Sequence, residues 1–148
     1  MSEIKNFLRG IEMFIGLSTE QLDEVADLCK ARTYAANEVV IERNSPADSF
    51  FLIEEGVVKI LTAPESDAES QVDAVVVTLG QGQSFGEMGL IDSGARSATV
   101  QTSTDTRLYE IDCNRFRDLC EMDTDLGYLV MRNVAIDLSF KLRHRNLI

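Results

Sequence analysis

Apolar residues along this chain follow a helical spacing at both ends and a strand spacing between them. Ile4, Phe7, Leu8 and Ile11 fall on one face of a 3.6-residue period, which predicts a first helix. Ser18 followed by Gln21 has the form of a capping box opening a second helix, whose buried stripe is Leu22, Val25, Ala26 and Cys29. After about Arg32 the pattern shortens to runs rich in β-branched and aromatic residues: Val39–Ile41, Phe50–Ile53, Val57–Thr62, Val72–Leu79, Ala98–Gln101 and Leu108–Ile111. Turn signals separate these runs, at Asn44-Ser45-Pro46, Glu55-Gly56, the polar stretch Ala63–Gln71 and Gly80-Gln81-Gly82. Many short strands with tight turns predict a small β-roll or barrel, not a parallel α/β sheet. From Asn114 the helical period returns. Phe116, Leu119 and Cys120 mark a short helix, and Thr124 is placed to cap a longer one running toward Arg145, with a stripe of Leu126, Leu129, Val130, Val134, Leu138 and Leu142.

The candidate chemistry is concentrated in Phe85–Val100, which puts a glycine-rich turn, one acid and one arginine into a short segment. Glycine costs stability unless the backbone needs unusual angles or a close approach, and Gly80, Gly82, Gly86 and Gly89 crowd this region. An arginine with free main-chain N–H groups at a tight turn makes a site for an anion. Glu87 would repel a simple anion, but it has a purpose if the guest also carries a hydroxyl that needs an acceptor. An anion with a neighbouring hydroxyl describes a ribose phosphate, and dinucleotide folds divide the work between acid and amides in the same way. The competing reading is that Glu87 and Arg96 form a structural ion pair. The surrounding glycines weigh against it.

The same segment resembles the phosphate-binding cassette of the cyclic nucleotide-binding domain family, which includes the catabolite activator protein, regulatory subunits of cyclic-AMP-dependent kinase and cyclic-nucleotide-gated channels. The family's Gly-x-x-Phe-Gly-Glu-Leu/Met-Ala/Gly-Leu, followed by Arg-Ser/Ala-Ala-Thr-Val, reads here as Gly82, Phe85, Gly86, Glu87, Met88, Gly89 and Leu90, then Arg96, Ser97, Ala98, Thr99 and Val100. Ala95 departs from the proline that many relatives place before the arginine. Elsewhere Asn44–Asp48 is similar to a family turn and Glu55–Ile60 to a family hairpin, with Asn37 and Asn44 standing where relatives often have glycine. Asparagine is the next-best residue for a left-handed backbone.

The resemblance implies a mainly β domain with flanking helices, an antiparallel β-roll or double-stranded β-helix of about eight short strands. It further implies a single domain over 1–148, with N-terminal helices over 1–31, the roll over 32–112 and a two-helix C-terminal lid over 113–148. By resemblance, Glu87 would bind the ribose 2′-OH and Arg96 the cyclic phosphate, with the main chain of Gly86, Met88, Gly89, Ser97 and Ala98 completing the cradle. Ser97 tilts the expectation toward cyclic AMP over cyclic GMP, since cyclic-GMP-dependent kinases favour threonine there. The final helix offers Phe140-Lys141-Leu142-Arg143 where the catabolite activator protein places hydroxyls against adenine. The base would then be capped by Phe140, by an arginine or by an apolar side chain, or left partly exposed.

Composition excludes several other classes. The 14 basic and 25 acidic residues give a net charge of −11, which supplies no basic face for nucleic acid. The acidic surface also repels an anionic ligand at long range, though screening beyond about 10 Å limits this and leaves Arg96 to act locally. No run approaches the roughly 20 apolar residues of a membrane span. Cys29, Cys113 and Cys120 are odd in number and scattered, which suits free thiols in a reducing cytosol and gives no metal motif. With His144 as the only histidine, neither a cupin-like metal enzyme nor a nucleophilic triad has its parts. The expectation is therefore a non-catalytic module without cofactor; the resemblance further implies that ligand occupancy moves the C-terminal helices and alters a separate effector protein. The alternative is a degenerate roll kept only as an interaction scaffold. The stripe on the last helix fits either a homodimer seam or packing within one chain, because the repeat is too short to establish a coiled coil.

Overall fold

The computed structural model describes residues 3–62, 74–92 and 94–144. Chain contacts divide these into two compact units, the roll over 29–114 and a helical unit built from the N-terminal residues to Leu28 with the residues from Arg115 onward.

The roll contains eight antiparallel strands: β1 (Lys30–Tyr34), β2 (Val39–Ile41), β3 (Ser49–Glu55), β4 (Val58–Thr62), β5 (Ala74–Leu79), β6 (Ser84–Phe85), β7 (Thr99–Thr102) and β8 (Thr106–Asp112). They form two four-stranded sheets, ordered β1-β8-β3-β6 and β2-β7-β4-β5. Residues two apart on a strand share a face, and the inward faces converge on Ile41, Phe51, Ile53, Val58, Phe85, Val100 and Leu108. Phe51 and Phe85 stack there with ring centroids 5.1 Å apart.

The turns follow the residue types that make them. Asn37 and Asn44 adopt φ of 67° and 74°, the left-handed conformation expected of them. Gly56 has φ +108°, and an added Cβ would stand 2.7 Å from the Asp105 carbonyl oxygen, so the β3–β4 turn requires glycine on both counts. Strands β1 and β6 are absent from the hydrophobic pattern. The second predicted helix ends at Leu28, so Cys29 lies beyond it and Lys30 already begins β1. The polar stretch 63–71, together with Val72 and Asp73 of the predicted fourth run, lies outside the described residues, as does Arg145.

The helical unit contains α1 (Glu3–Arg9), a 3₁₀ turn at Glu12–Phe14, α2 (Thr19–Leu28), most of α3 (Cys113–Met122) and α4 (Thr124–His144). The capping box forms as expected: the Ser18 N–H donates to Gln21 Oε1 at 2.8 Å and the Gln21 N–H to Ser18 Oγ at 3.2 Å. The cap of α4 is Asp123, not Thr124, because Asp123 Oδ1 accepts the Leu126 N–H at 3.1 Å. The α4 stripe is buried at Leu126, Val130 and Val134 and becomes exposed by Leu142. Buried Asn133, unforeseen from the pattern, donates to the carbonyls of Met13 and Ile15 at 3.0 and 2.9 Å and ties the 3₁₀ turn to α4. No helix among the described residues is long and apolar enough to cross a membrane.

Candidate functional site

Strand β6 delivers the chain to the site. Phe85 pairs with Phe51 of β3 and buries its ring, and the next residue reverses the chain. Gly86 sits at φ +82°, ψ 6° and heads a single 3₁₀ turn, Glu87–Leu90. A Cβ on Gly86 would lie 2.9 Å from Arg96 Nη1, and one on Gly89 would lie 2.5 Å from the Ala47 carbonyl oxygen. Both glycines therefore permit contacts that any other residue would obstruct. The 3₁₀ turn consequently lies flat against the 44–49 segment.

The same segment holds Arg96. Its N–H donates to the Ser45 carbonyl at 2.8 Å, and its carbonyl accepts the Asn44 N–H at 2.8 Å. A bridge between Pro46 and Ala95 adds a further tie. The side chain turns inward and is 8% exposed. Arg96 Nη1 donates to the Gly86 carbonyl at 3.0 Å, and Nη2 donates to the Ser49 carbonyl. Two neutral main-chain oxygens thus aim the guanidinium, and neither partner is a carboxylate. A guanidinium carries five N–H groups in one plane, so the remaining donors stay available in a fixed orientation.

Glu87 does not form the structural ion pair considered above. It is half-buried, and its Oε2 is buried with no hydrogen-bond partner. Buried polar atoms are nearly always satisfied, so such an atom calls for a donor. Its charge still reaches Arg96. Burial pulls the guanidinium below its ordinary pKa, while Cys113, Asp48, Glu110 and Glu87 oppose that shift. The cation is consequently surrounded by groups that favour its charged form.

Among the other expected residues, Gly89 is buried under Ala47, whereas Met88 is 47% exposed on the outer side of the turn. Ser97 is exposed and Ala98 half-buried, in the bend entering β7. The structure thus brings Gly86, Glu87, Gly89 and Arg96 together and sets Met88 and the Ser97 side chain outward.

Three residues behind the site escaped the sequence reading. Ser49 Oγ donates to Glu110 Oε2 at 2.8 Å, and Arg32 Nε donates to Glu110 Oε1 at 2.9 Å. The available signal was an acid two residues after Leu108 on a strand, a position where alternation calls for an apolar side chain. An open cleft of about 400 Å³, lined by Thr33, Tyr34, Asp105 and Arg107 among others, contains none of the expected site residues. Among the described residues, no group of three or more His, Cys, Asp or Glu side chains is arranged to hold a metal ion. His144 is exposed on α4, stacked on Phe140 at 3.8 Å.

Comparison with known proteins agrees with this architecture. The model of the cyclic nucleotide-binding domain matches residues 31–123. The chain is 34% identical over 130 residues to the cGMP-dependent protein kinase, isozyme 1, of Drosophila melanogaster, covering 82% of this chain and 16% of that one. It is 32% identical to the cAMP-dependent protein kinase regulatory subunit of Schizosaccharomyces pombe, covering 87% and 28%. The chain therefore spans under a third of the length of these relatives. The catabolite activator protein of Thermus thermophilus superposes with a TM-score of 0.77 at 26% identity, over 92% of this chain and 60% of that one. With its antiparallel roll, its glycine-headed 3₁₀ turn and the family model spanning both, the chain belongs to the cyclic nucleotide-binding domain family.

Proposed function

We propose that this domain binds a cyclic nucleotide, cyclic AMP in preference to cyclic GMP, and acts as a regulatory module without catalysis of its own. The observation that carries the proposal is that one cassette holds both spare donors and an unsatisfied acceptor. Arg96 has donors in hand after two carbonyls have fixed it, and Glu87 holds a buried acceptor atom without a donor. A cyclic ribose phosphate offers an anionic ester and a free 2′-OH on one rigid ring, which answers both needs. Arg96 takes the phosphate, Glu87 the 2′-OH, and the main chain at Gly86, Met88, Gly89, Ser97 and Ala98 lines the cradle.

Serine at position 97 supports the adenine nucleotide, while the curated relatives include kinases named for either one. Ligand occupancy passes to the C-terminal helices as a population shift between two arrangements. Their movement alters the surface offered to an effector on a separate polypeptide or to a second copy of this chain. The exposed Tyr128, Ile136, Phe140 and Leu142 of α4 support such a surface. All three cysteines are thiols outside any disulfide, which supports a reducing cytosolic setting.

Titration calorimetry with cyclic AMP, cyclic GMP and the linear 5′-monophosphates tests the reading. Removing one partner of a buried charged contact costs about 2–5 kcal/mol. At about 1.4 kcal/mol per decade, Arg96→Ala is expected to weaken binding at least thirty-fold. Arg96→Lys should also be damaging, because an ammonium lacks the planar fork. Wild-type affinity in Arg96→Ala would refute the assignment.

A further inference from the structure

Glu110 occupies a face of its strand where an acid is costly. In the β3–β8 ladder, Phe51 stands opposite Glu110 and Ile53 opposite Leu108. Phe51, Ile53 and Leu108 all belong to the roll's apolar cluster, so Glu110 is directed to the same inward side. A carboxylate there loses hydration unless its oxygens are satisfied. Arg32 fills Oε1 and Ser49 fills Oε2. The Arg32 and Glu110 side chains are 48% and 26% exposed, so their ion pair adds little stability of its own. The acid therefore serves something other than packing.

The connection through Ser49 leads to the arginine. Ser49 is the first residue of β3 and is buried. Its hydroxyl is held by Glu110, and its carbonyl accepts from Arg96 Nη2. Strand ends open more readily than strand centres. A hydroxyl–carboxylate bond at this end fixes the residue whose carbonyl aims the guanidinium. Because the guanidinium is planar, tilting one of its two carbonyl partners tilts every donor that remains.

We propose that Glu110, acting through Ser49, is a positioning residue for Arg96 and sets the plane in which the guanidinium meets the phosphate. The proposal rests on the assignment of Arg96 as the phosphate ligand and adds a second layer to it. The hydrogen bonds of Glu110 go to Ser49 and Arg32 and not to the Arg96 guanidinium. Its influence is carried by the Ser49 carbonyl, supplemented by the proximity of its charge to Arg96.

The test compares Glu110→Ala, Glu110→Gln, Ser49→Ala and the double variant Glu110→Ala/Ser49→Ala, with cyclic AMP and cyclic GMP as titrants. Ligand-free melting temperature is measured alongside Kd. Glu110→Ala and Ser49→Ala should each weaken binding about tenfold, and the double variant should be no weaker than the worse single by more than about twofold. Glu110→Gln should remain within about threefold of wild type, since its amide oxygen still accepts from Ser49. In an Arg96→Ala background, Glu110→Ala should add no further loss. Ser49→Ala deletes a single hydroxyl and keeps the proposal testable if Glu110→Ala does not fold. Variants that lower the melting temperature while leaving Kd within twofold would overturn the proposal and leave Arg96 as the phosphate ligand. Wild-type affinity in Arg96→Ala would instead bring down both readings together.

Discussion

Glu87→Gln should make the ligand-free protein more stable and the liganded protein no more stable than wild type. The carboxylate keeps one buried oxygen without a hydrogen-bond partner. Such a group costs about 1–3 kcal/mol. The residue as a whole is half-buried, so the lower end, about 1 kcal/mol, applies. Glutamine keeps the shape and still leaves a polar atom there, but a neutral one. The unpartnered charge costs about 1 kcal/mol more to bury than the neutral amide, and recovering that raises the melting temperature of a domain this size by about 2–4 °C. Binding moves the other way. A hydrogen bond to a charged acceptor exceeds a neutral one by about 1 kcal/mol, which corresponds to about fivefold in Kd. At a ligand concentration one hundred times the wild-type Kd, wild type gains about 2.7 kcal/mol and the variant about 1.8 kcal/mol. The advantage of the variant is then cancelled. Scanning calorimetry with and without cyclic AMP, paired with titration calorimetry, reads both effects. A ligand-free variant that melts lower than wild type, with unchanged affinity, would mean that Glu87 is a structural acid and that the argument is wrong.

Two further outcomes follow from the same contacts. Gly89→Ala places a Cβ 2.5 Å from the Ala47 carbonyl oxygen, so the 3₁₀ turn must move away from the 44–49 segment. Urea denaturation should show a loss of about 1–3 kcal/mol, and affinity should fall with it; an unchanged midpoint would contradict the close approach. Burial raises Cys29 from its ordinary 9.0 to about 12 and Cys120 to about 11. The unfolded thiols lose their protons first, so this stabilisation is complete below pH 9 and is lost as pH climbs toward 11–12. The urea midpoint should therefore decline from pH 9 to pH 11, and less steeply in Cys29→Ala, whereas a flat profile in both would refute the assignment.

The parts legible in the sequence are those whose cause is local. The Ser18–Gln21 box satisfies its own backbone, and Asn37 and Asn44 declare left-handed turns by residue type. The apolar runs forecast β2, β3, β4, β5, β7 and β8. Strand β1 could not be found this way. Lys-Ala-Arg-Thr-Tyr carries no apolar alternation and is largely exposed, and it is a strand because β8 offers it a full ladder from Lys30↔Glu110 to Tyr34↔Thr106. Strand β6 is two residues long and exists through its pairing with β3. At the start of α4, Thr124 and Asp123 are both able caps, and the choice between them depends on which oxygen reaches the Leu126 N–H. Asn133, and the role though not the oddity of Glu110, were illegible for a similar reason. A polar residue on an inward face declares itself only when its distant partners, Met13 and Ile15 for the one and Arg32 and Ser49 for the other, are in place.

The cassette itself was legible because its glycines and its arginine are one construction. Arg96 Nη1 occupies the space that a Cβ on Gly86 would take, and it hydrogen-bonds to the carbonyl of that same glycine. Folding the 3₁₀ turn therefore builds the position of the guanidinium, and fixing the guanidinium holds the turn. Glu87 is the first residue of that turn, so the acceptor is placed by the same event that places the donor. An ion pair between them would have satisfied both charges and left nothing for a guest. Main-chain carbonyls hold the arginine instead, so the cation is positioned without neutralising it, and the acid keeps a buried oxygen unsatisfied. On the proposed assignment, a ligand with one anionic group and one hydroxyl would supply the partner that each of these groups lacks.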